Sequence, residues 1–289
     1  MIKMNKVQKI EQQIKQIKSH NLIILEGAIS VLSALSSNYA KVSKVILRSD
    51  DKNRDKDNRN IQKIINTAKQ KNVGTDYFSP AEFEEFSALY DIGKTHGGII
   101  ALTEKRKYLP AAELILLYGA RTTVAIGIIE GVEDPYNLGY AVRALYTQGV
   151  AGLILPERDF GFSESVIEKA STGTFSKMPI AVFTGIAEAD NSKTELIRLL
   201  KDNYFKIYCI DKKAPPDLKD KIPVSDIFDV KFADRTVFII GGEKRGISKD
   251  FLNNADEIVR IPYASSFSHS LAAQTAATIV AYEIHRQRR

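Results

Sequence analysis

Apolar residues recur along this chain in short blocks whose period switches between that of a helix and that of a strand. Val7, Ile10, Ile14 and Ile17 fall at helical spacing among Lys3, Lys6, Lys9, Lys15 and Lys18, which predicts an amphipathic helix with a basic outer face. An apolar run over 22–25 closes at Glu26-Gly27. The pattern then predicts helix over 28–35, strand over 42–47, a mixed-charge loop over 48–59, helix over 61–71 and extended chain over 73–77. Ser79-Pro80-Ala81-Glu82 places Ser, Pro and Glu at the spacing of a capping box, and His96-Gly97-Gly98 leads into a strand over 99–102. Residues 20–103 read as a small alternating α/β unit.

Glu104 to Leu109 is polar and ends at Pro110, which predicts a linker. Beyond it the strands are stronger: 123–129, 150–155, 180–183, 205–210 and 237–240, with helices over 138–148, 164–170 and 193–201 between them. Continuous Val/Ile runs separated by helices predict a parallel sheet covered on both faces. The chain closes with an apolar-faced helix predicted from Ser268 onward. The expected organisation is therefore an N-terminal domain over 1–105, a linker over 106–120 and an α/β domain over 121–289.

Charge sharpens this division. Of 41 Lys and Arg and 35 Asp and Glu, residues 1–105 hold 17 basic and 12 acidic side chains, whereas the remainder is nearly balanced. A basic module beside a neutral one fits a polyanion-binding part and a chemical part. No apolar run reaches the length of a membrane span, and the first residues lack the apolar core of a secretory signal. Cys209 is the single cysteine, so neither an intrachain disulfide nor a cysteine-based zinc site is expected, and the setting is expected to be the cytoplasm. The four His residues are scattered without metal-ligand spacing, and no metal is expected.

There is no Walker-type phosphate loop and no Gly-x-Gly-x-x-Gly after a first strand. Three other segments carry the candidate chemistry. The first runs from Glu130 through Asn137-Leu138-Gly139 to Arg143 at the end of a strong strand, with Asn137 a candidate helix cap. The second is Ile240-Gly241-Gly242-Glu243-Lys244-Arg245-Gly246, where glycines let backbone amides approach a ligand. The third is Ile261-Pro262-Tyr263 followed by a Ser-rich stretch to Ser270-Leu271, where Ser268 or Ser270 could cap the last helix.

The order of these segments, with Ser171-Thr172-Gly173 and Pro179 between them, resembles the SpoU (TrmH) branch of the SPOUT RNA methyltransferases over residues 121–289. The N-terminal unit, with Glu26-Gly27-Ala28 and Thr95-His96-Gly97-Gly98, is similar to that family's substrate-binding domain, which is related to RNA-binding ribosomal proteins. The resemblance implies an α/β fold: a trefoil-knotted methyltransferase domain with a parallel sheet, preceded by a small α/β/α RNA-binding domain. It implies S-adenosylmethionine as cofactor, held by Gly241, Ile261 and Leu271, with Ile240, Gly242, Gly246 and Pro262 beside them and Leu155 walling the pocket. It also implies Asn137, Arg143, Glu243 and Ser270 as the catalytic residues, and a homodimer formed through the C-terminal domain.

Because guanidinium groups keep their proton, Arg143 is expected to anchor a phosphate or oxyanion rather than act as a base, with Glu243 orienting it. One departure stands out. The family's Ser-Leu-Asn and later Ser read here as Ser270-Leu271-Ala272-Ala273-Gln274, so an Asn is replaced by Ala272, and His269 or Gln274 is left to supply its polar contact. The first expectation is 2′-O-methylation of a ribose in structured RNA, most of all ribosomal RNA. The alternatives are a non-catalytic RNA-binding or ribosome-assembly protein, an enzyme directed at transfer RNA, and an ordinary small-molecule α/β enzyme.

Overall fold

The computed structural model describes residues 7, 8, 10, 22–49, 59–157, 163–183, 191–216, 218, 221–242, 245–266 and 269–289. The chain divides into two compact units. One comprises Met1–Lys107 together with Phe160–Lys177, the other Tyr108–Asp159 with Met178–Arg289.

The first unit is built on a four-stranded sheet of β1 (Leu22–Glu26), β2 (Val42–Arg48), β3 (Gly74–Phe78) and β4 (Ile99–Glu104) in the order β1-β4-β2-β3. β4 runs antiparallel to β1 and β2, and β3 is parallel to β2. Strand alternation sends Ile23, Leu25, Val45 and Leu47 to one face, against α1 (Ala28–Leu35) and α2 (Arg59–Gln70). It sends Ile46, Ile100 and Leu102 to the other face, against Phe83 and Phe86 of α3 (Pro80–Leu89) and against Val7 and Ile10. The expected capping box is present: the Ser79 hydroxyl accepts from Glu82 N–H at 3.3 Å, and the Glu82 carboxylate accepts from Ser79 N–H at 2.8 Å. Val7, Gln8 and Ile10 are helical, whereas the five lysines of the leading segment lie outside the described residues.

α6 (Ser163–Ala170) and α7 (Thr174–Lys177) complete this unit, α6 on β1 and α7 on α1. Their docking is polar and buried. Arg106 N–H donates to Glu164 at 2.9 Å, Ser176 N–H donates to Glu168 at 2.9 Å, and the Arg106 guanidinium donates to the Phe175 carbonyl while lying 4.8 Å from the Phe175 ring centroid. Burial raises the Glu168 carboxyl to about 7, against the opposing pull of Ser176 and Arg106. An acid whose folded value exceeds its unfolded value of 4.5 costs stability as pH rises between the two, because only the unfolded chain ionises freely there. Glu168→Gln is therefore expected to stabilise the protein by about 2 kcal/mol at pH 8 and by much less at pH 5. Urea unfolding at the two pH values measures it; an equal effect at both would show that ionisation is not the cause.

The second unit carries an eight-stranded sheet in the order β10-β12-β9-β11-β6-β7-β8-β5, with every pairing parallel. Its strands are β5 (Leu109–Pro110), β6 (Val124–Ile129), β7 (Gly152–Pro156), β8 (Ile180–Phe183), β9 (Lys206–Ile210), β10 (Val224–Asp226), β11 (Arg235–Ile240) and β12 (Glu257–Arg260). The helices are α4 (Ala111–Leu117), α5 (Pro135–Thr147), α8 (Ser192–Asp202), α9 (Lys249–Leu252) and α10 (Ala273–Gln287). β6 is buried at every position, as expected for a central strand with both faces covered. The order reverses at β6 and β11. The chain grows outward from β6 through β7 to β8, then returns to the other side of β6, and such a reversal opens a crevice at the carboxyl ends of the strands.

Three expectations are corrected. Residues 106–120 are not a linker: β5 pairs with β8, and α4 follows with Leu114 and Ile115 buried. The polar start of that stretch hides an apolar run that begins just after Pro110. Residues 160–177 group with the N-terminal unit, although they lie within the expected 121–289 domain. The last helix begins at Ala273, not Ser268, and its N-cap is Ala272 with no side-chain hydrogen bond, so Ser270 does not cap it.

Candidate functional site

The carboxyl ends of β9, β11 and β12 open onto a cavity of ≈ 180 Å³. Ile210, Asp211 and Lys212 contribute from β9; Ile240, Gly241, Gly242, Gly246 and Ile247 from β11; Ile261, Tyr263, Ser270 and Leu271 from the segment after β12. Ala273 and Ala276 of α10 close the wall. Six of the eight expected cofactor contacts, Gly241, Ile261, Leu271, Ile240, Gly242 and Gly246, thus lie on one cavity, with Ser270 beside them. Pro262 and Leu155 are not among its lining residues. Leu155 is buried on β7, which β6 separates from β11.

The glycines are there because backbone meets backbone. A Cβ on Gly241 would lie 2.4 Å from the Gly246 carbonyl carbon, and one on Gly131 would lie 2.5 Å from Gly242 Cα. The turn between them is closed by paired bonds, Gly242 N–H to Gly246 O at 3.1 Å and Gly246 N–H to Gly242 O at 3.0 Å. Glu243, the expected partner of Arg143, lies outside the described residues. At the foot of the turn Glu130 accepts from Ser248 N–H at 2.7 Å and pairs with Lys193 at 3.2 Å, fixing the exit from β11 to the end of β6.

The segment after β12 is held in a loop by its own aromatic ring. The Tyr263 hydroxyl accepts from Leu271 N–H at 2.9 Å. Lys212 lies 5.0 Å from the Tyr263 ring centroid and donates to the His269 carbonyl at 2.5 Å. Asp211 accepts from Lys212 N–H at 2.6 Å. The cavity thus combines apolar walls, glycine-lined backbone and one side chain of each charge, a lining suited to a ligand with an apolar part and charges of both signs. Tyr263 lies in the third candidate segment without a role assigned from sequence, and Asp211 and Lys212 fall outside all three segments; their position at the carboxyl end of the 205–210 strand is the available signal. Cys209, directly before, is buried, and burial pushes its thiol up, which suits packing and not nucleophilic chemistry.

Asn137 and Arg143 stand on α5. Asn137 is not the cap: Asp134 is, accepting from Tyr136 N–H at 2.7 Å and Asn137 N–H at 3.0 Å. The Asn137 side chain faces α10, which packs along α5, and its Oδ1 accepts from Gln274 Nε2 at 3.1 Å. Arg143 is exposed and does not line the cavity. Among the described residues no group of three or more His, Cys, Asp or Glu could hold a metal ion, and no helix is long and apolar enough to cross a membrane.

Comparison with known proteins bears on this geometry. Residues 125–282 match the model of the SpoU rRNA methylase family. A Staphylococcus epidermidis protein assigned to the TrmH family of tRNA/rRNA methyltransferases is 27% identical over 269 residues, covering 92% of this chain and 96% of that one. The chain shares its fold with a crystal structure of an RNA 2′-O ribose methyltransferase at a TM-score of 0.68 and 17% identity, covering 100% of this chain and 98% of that one. It shares it also with the SpoU methyltransferase AviRb of Streptomyces viridochromogenes, determined with S-adenosylmethionine, at 0.68 and 20% identity, covering 97% of this chain and 98% of that one.

Proposed function

We propose, from the premise that this chain belongs to the SpoU rRNA methylase family, that it methylates the 2′-hydroxyl of a ribose in structured RNA, ribosomal RNA above all, with S-adenosylmethionine as donor. The observation that carries the reading is the cavity at the carboxyl ends of β9, β11 and β12, onto which the second and third candidate segments converge. Gly241, Gly242 and Gly246 would hold the cofactor by backbone, Ile240, Ile261 and Leu271 would pack its apolar parts, and Asp211 and Lys212 would face its charged end. The cofactor supplies a methyl group on a sulfonium, which needs no metal.

The chain's own residues then have to align a ribose hydroxyl at about 3–3.5 Å from the reacting carbon and provide for its proton. Arg143 anchors a phosphate or oxyanion beside that ribose, Glu243 orients Arg143, Asn137 fixes the geometry of α5, and Ser270 offers a hydroxyl at the cavity edge. The N-terminal unit, with the basic excess of residues 1–105, grips the RNA, and the setting is the cytoplasm. We read the chain path as knotted, as the family membership implies. We read the assembly as a homodimer; the exposed rings of Tyr136, Tyr140 and Tyr282 on the packed pair α5 and α10 support it.

Ala272 favours a second reading, an RNA-binding protein without catalysis. The test is incubation of the protein with labelled S-adenosylmethionine and unmodified ribosomal RNA, followed by alkaline hydrolysis. A 2′-O-methyl group removes the nucleophile for backbone cleavage, so label is expected in alkali-resistant dinucleotides. Label in mononucleotides would overturn ribose as the acceptor, and absence of calorimetric cofactor binding would leave only the second reading.

A further inference from the structure

We propose that Gln274 is a positioning residue that holds Asn137 in its working orientation and replaces the polar contact missing at Ala272; the inference rests on the ribose methyltransferase reading above. Gln274 stands in the first turn of α10, directly after the cavity-lining Ala273. Its Nε2 donates to Asn137 Oδ1 at 3.1 Å across the packed helices. Its Oε1 is buried and has no hydrogen-bond partner.

The physical case is one of cost. Fixing a long amide side chain sacrifices rotamer entropy, and burying an amide oxygen without a donor is unfavourable. A helix pair that needed only packing would be better served by an apolar side chain of the same volume. An amide kept in an imperfectly satisfied place marks a geometric requirement, here on the helix that carries both Asn137 and Arg143. Ala272, at the N-cap of α10, is exposed and has only a methyl group to offer. Gln274 has the longer side chain, and it reaches Asn137 from the first turn of the helix. The same bond joins the wall of the cavity to α5, adding one directional tie to the packing of the two helices.

The test uses the full chain, in-vitro-transcribed ribosomal RNA and labelled S-adenosylmethionine. Gln274→Met keeps the volume and removes the hydrogen bond. Its kcat is expected to fall roughly 30-fold, with the calorimetric Kd for S-adenosylmethionine within about twofold of the parent. The double variant Ala272→Asn/Gln274→Ser, which restores the family's residues, is expected to recover kcat to within about fivefold. Unchanged kcat in Gln274→Met overturns the proposal, as does a parallel loss of cofactor affinity. A loss that the double variant fails to recover marks Gln274 as packing alone and overturns it as well. A parent protein inactive on both ribosomal and transfer RNA overturns the methyltransferase reading together with this one; an active parent with an unaffected Met variant overturns this one only.

Discussion

Arg143→Ala is expected to lower methyl transfer by about 100- to 1000-fold while leaving S-adenosylmethionine affinity within about threefold. The two halves of this expectation come from different observations. Arg143 is exposed on α5 and is not among the residues lining the cavity, so its removal takes nothing from the cofactor's walls. Its guanidinium cannot accept the hydroxyl proton, but it can hold a phosphate through two parallel hydrogen bonds and stabilise charge that develops on the ribose oxygen. That interaction is worth most in the transition state, so its loss falls on kcat. Single-turnover transfer and calorimetry on the same preparation measure both quantities. Equal losses in both would show that Arg143 builds the cofactor pocket. Arg143→Lys keeps the charge but not the fork and is expected to recover only a small part of the rate.

Gly241→Ala should act in the opposite manner, destroying cofactor binding. The added Cβ would meet the Gly246 carbonyl carbon at 2.4 Å and Ile247 N at 2.6 Å. Both are backbone atoms, held by the Gly242 and Gly246 bonds, and neither can swing aside as a side chain would. Relief requires the turn to open, and this turn is one wall of the cavity. We expect cofactor affinity to fall by at least about 100-fold and stability by about 1–3 kcal/mol. Gly74→Ala is the matched control: a Cβ there meets nothing within 4 Å, and its effect is expected to stay within about 0.5 kcal/mol. Titration of both variants with S-adenosylmethionine separates a local closure of the pocket from general loss of fold; wild-type affinity in Gly241→Ala would sink the argument.

Much of the architecture was legible in the sequence, and the exceptions have physical causes. β6, β8, β9 and β11 announced themselves because strands covered on both faces are continuous apolar runs. The α3 cap was legible because Ser79, Pro80 and Glu82 each have one local role that tertiary contacts do not overrule. β5, β10 and α9 have two, three and four residues, too few to carry a period, and they exist because neighbours pair with or cover them. Ser268 and Ser270 look like caps, whereas the Leu271 amide is tied to the Tyr263 hydroxyl and the helix starts only after Ala272. Asn137 looks like a cap because Asn favours that position; Asp134, three residues earlier with Pro135 after it, starts the helix sooner by accepting from Tyr136 and Asn137 N–H, so Asn137 already lies in its first turn. At the site, the glycine turn and the apolar contacts were legible, being local in sequence. Asp211 and Lys212 were not, because their importance follows only from strand order, which no single segment encodes.

The assignment of residues 160–177 to the first unit bears on how the protein is made. Lys107 leaves the ribosome well before Glu164 and Phe175 do, yet Arg106 is buried against both. At about 5–20 residues per second, the emerging N-terminal unit waits roughly 4–14 s for its last two helices. During that interval Arg106 and the apolar surface of β1 and α1 are uncovered, while the first strands of the second unit are already emerging. Folding of this chain is therefore not one unit after the other. The N-terminal unit is completed only by a segment supplied from within its successor, and a gene cut at residue 107 would separate that unit from its last two helices.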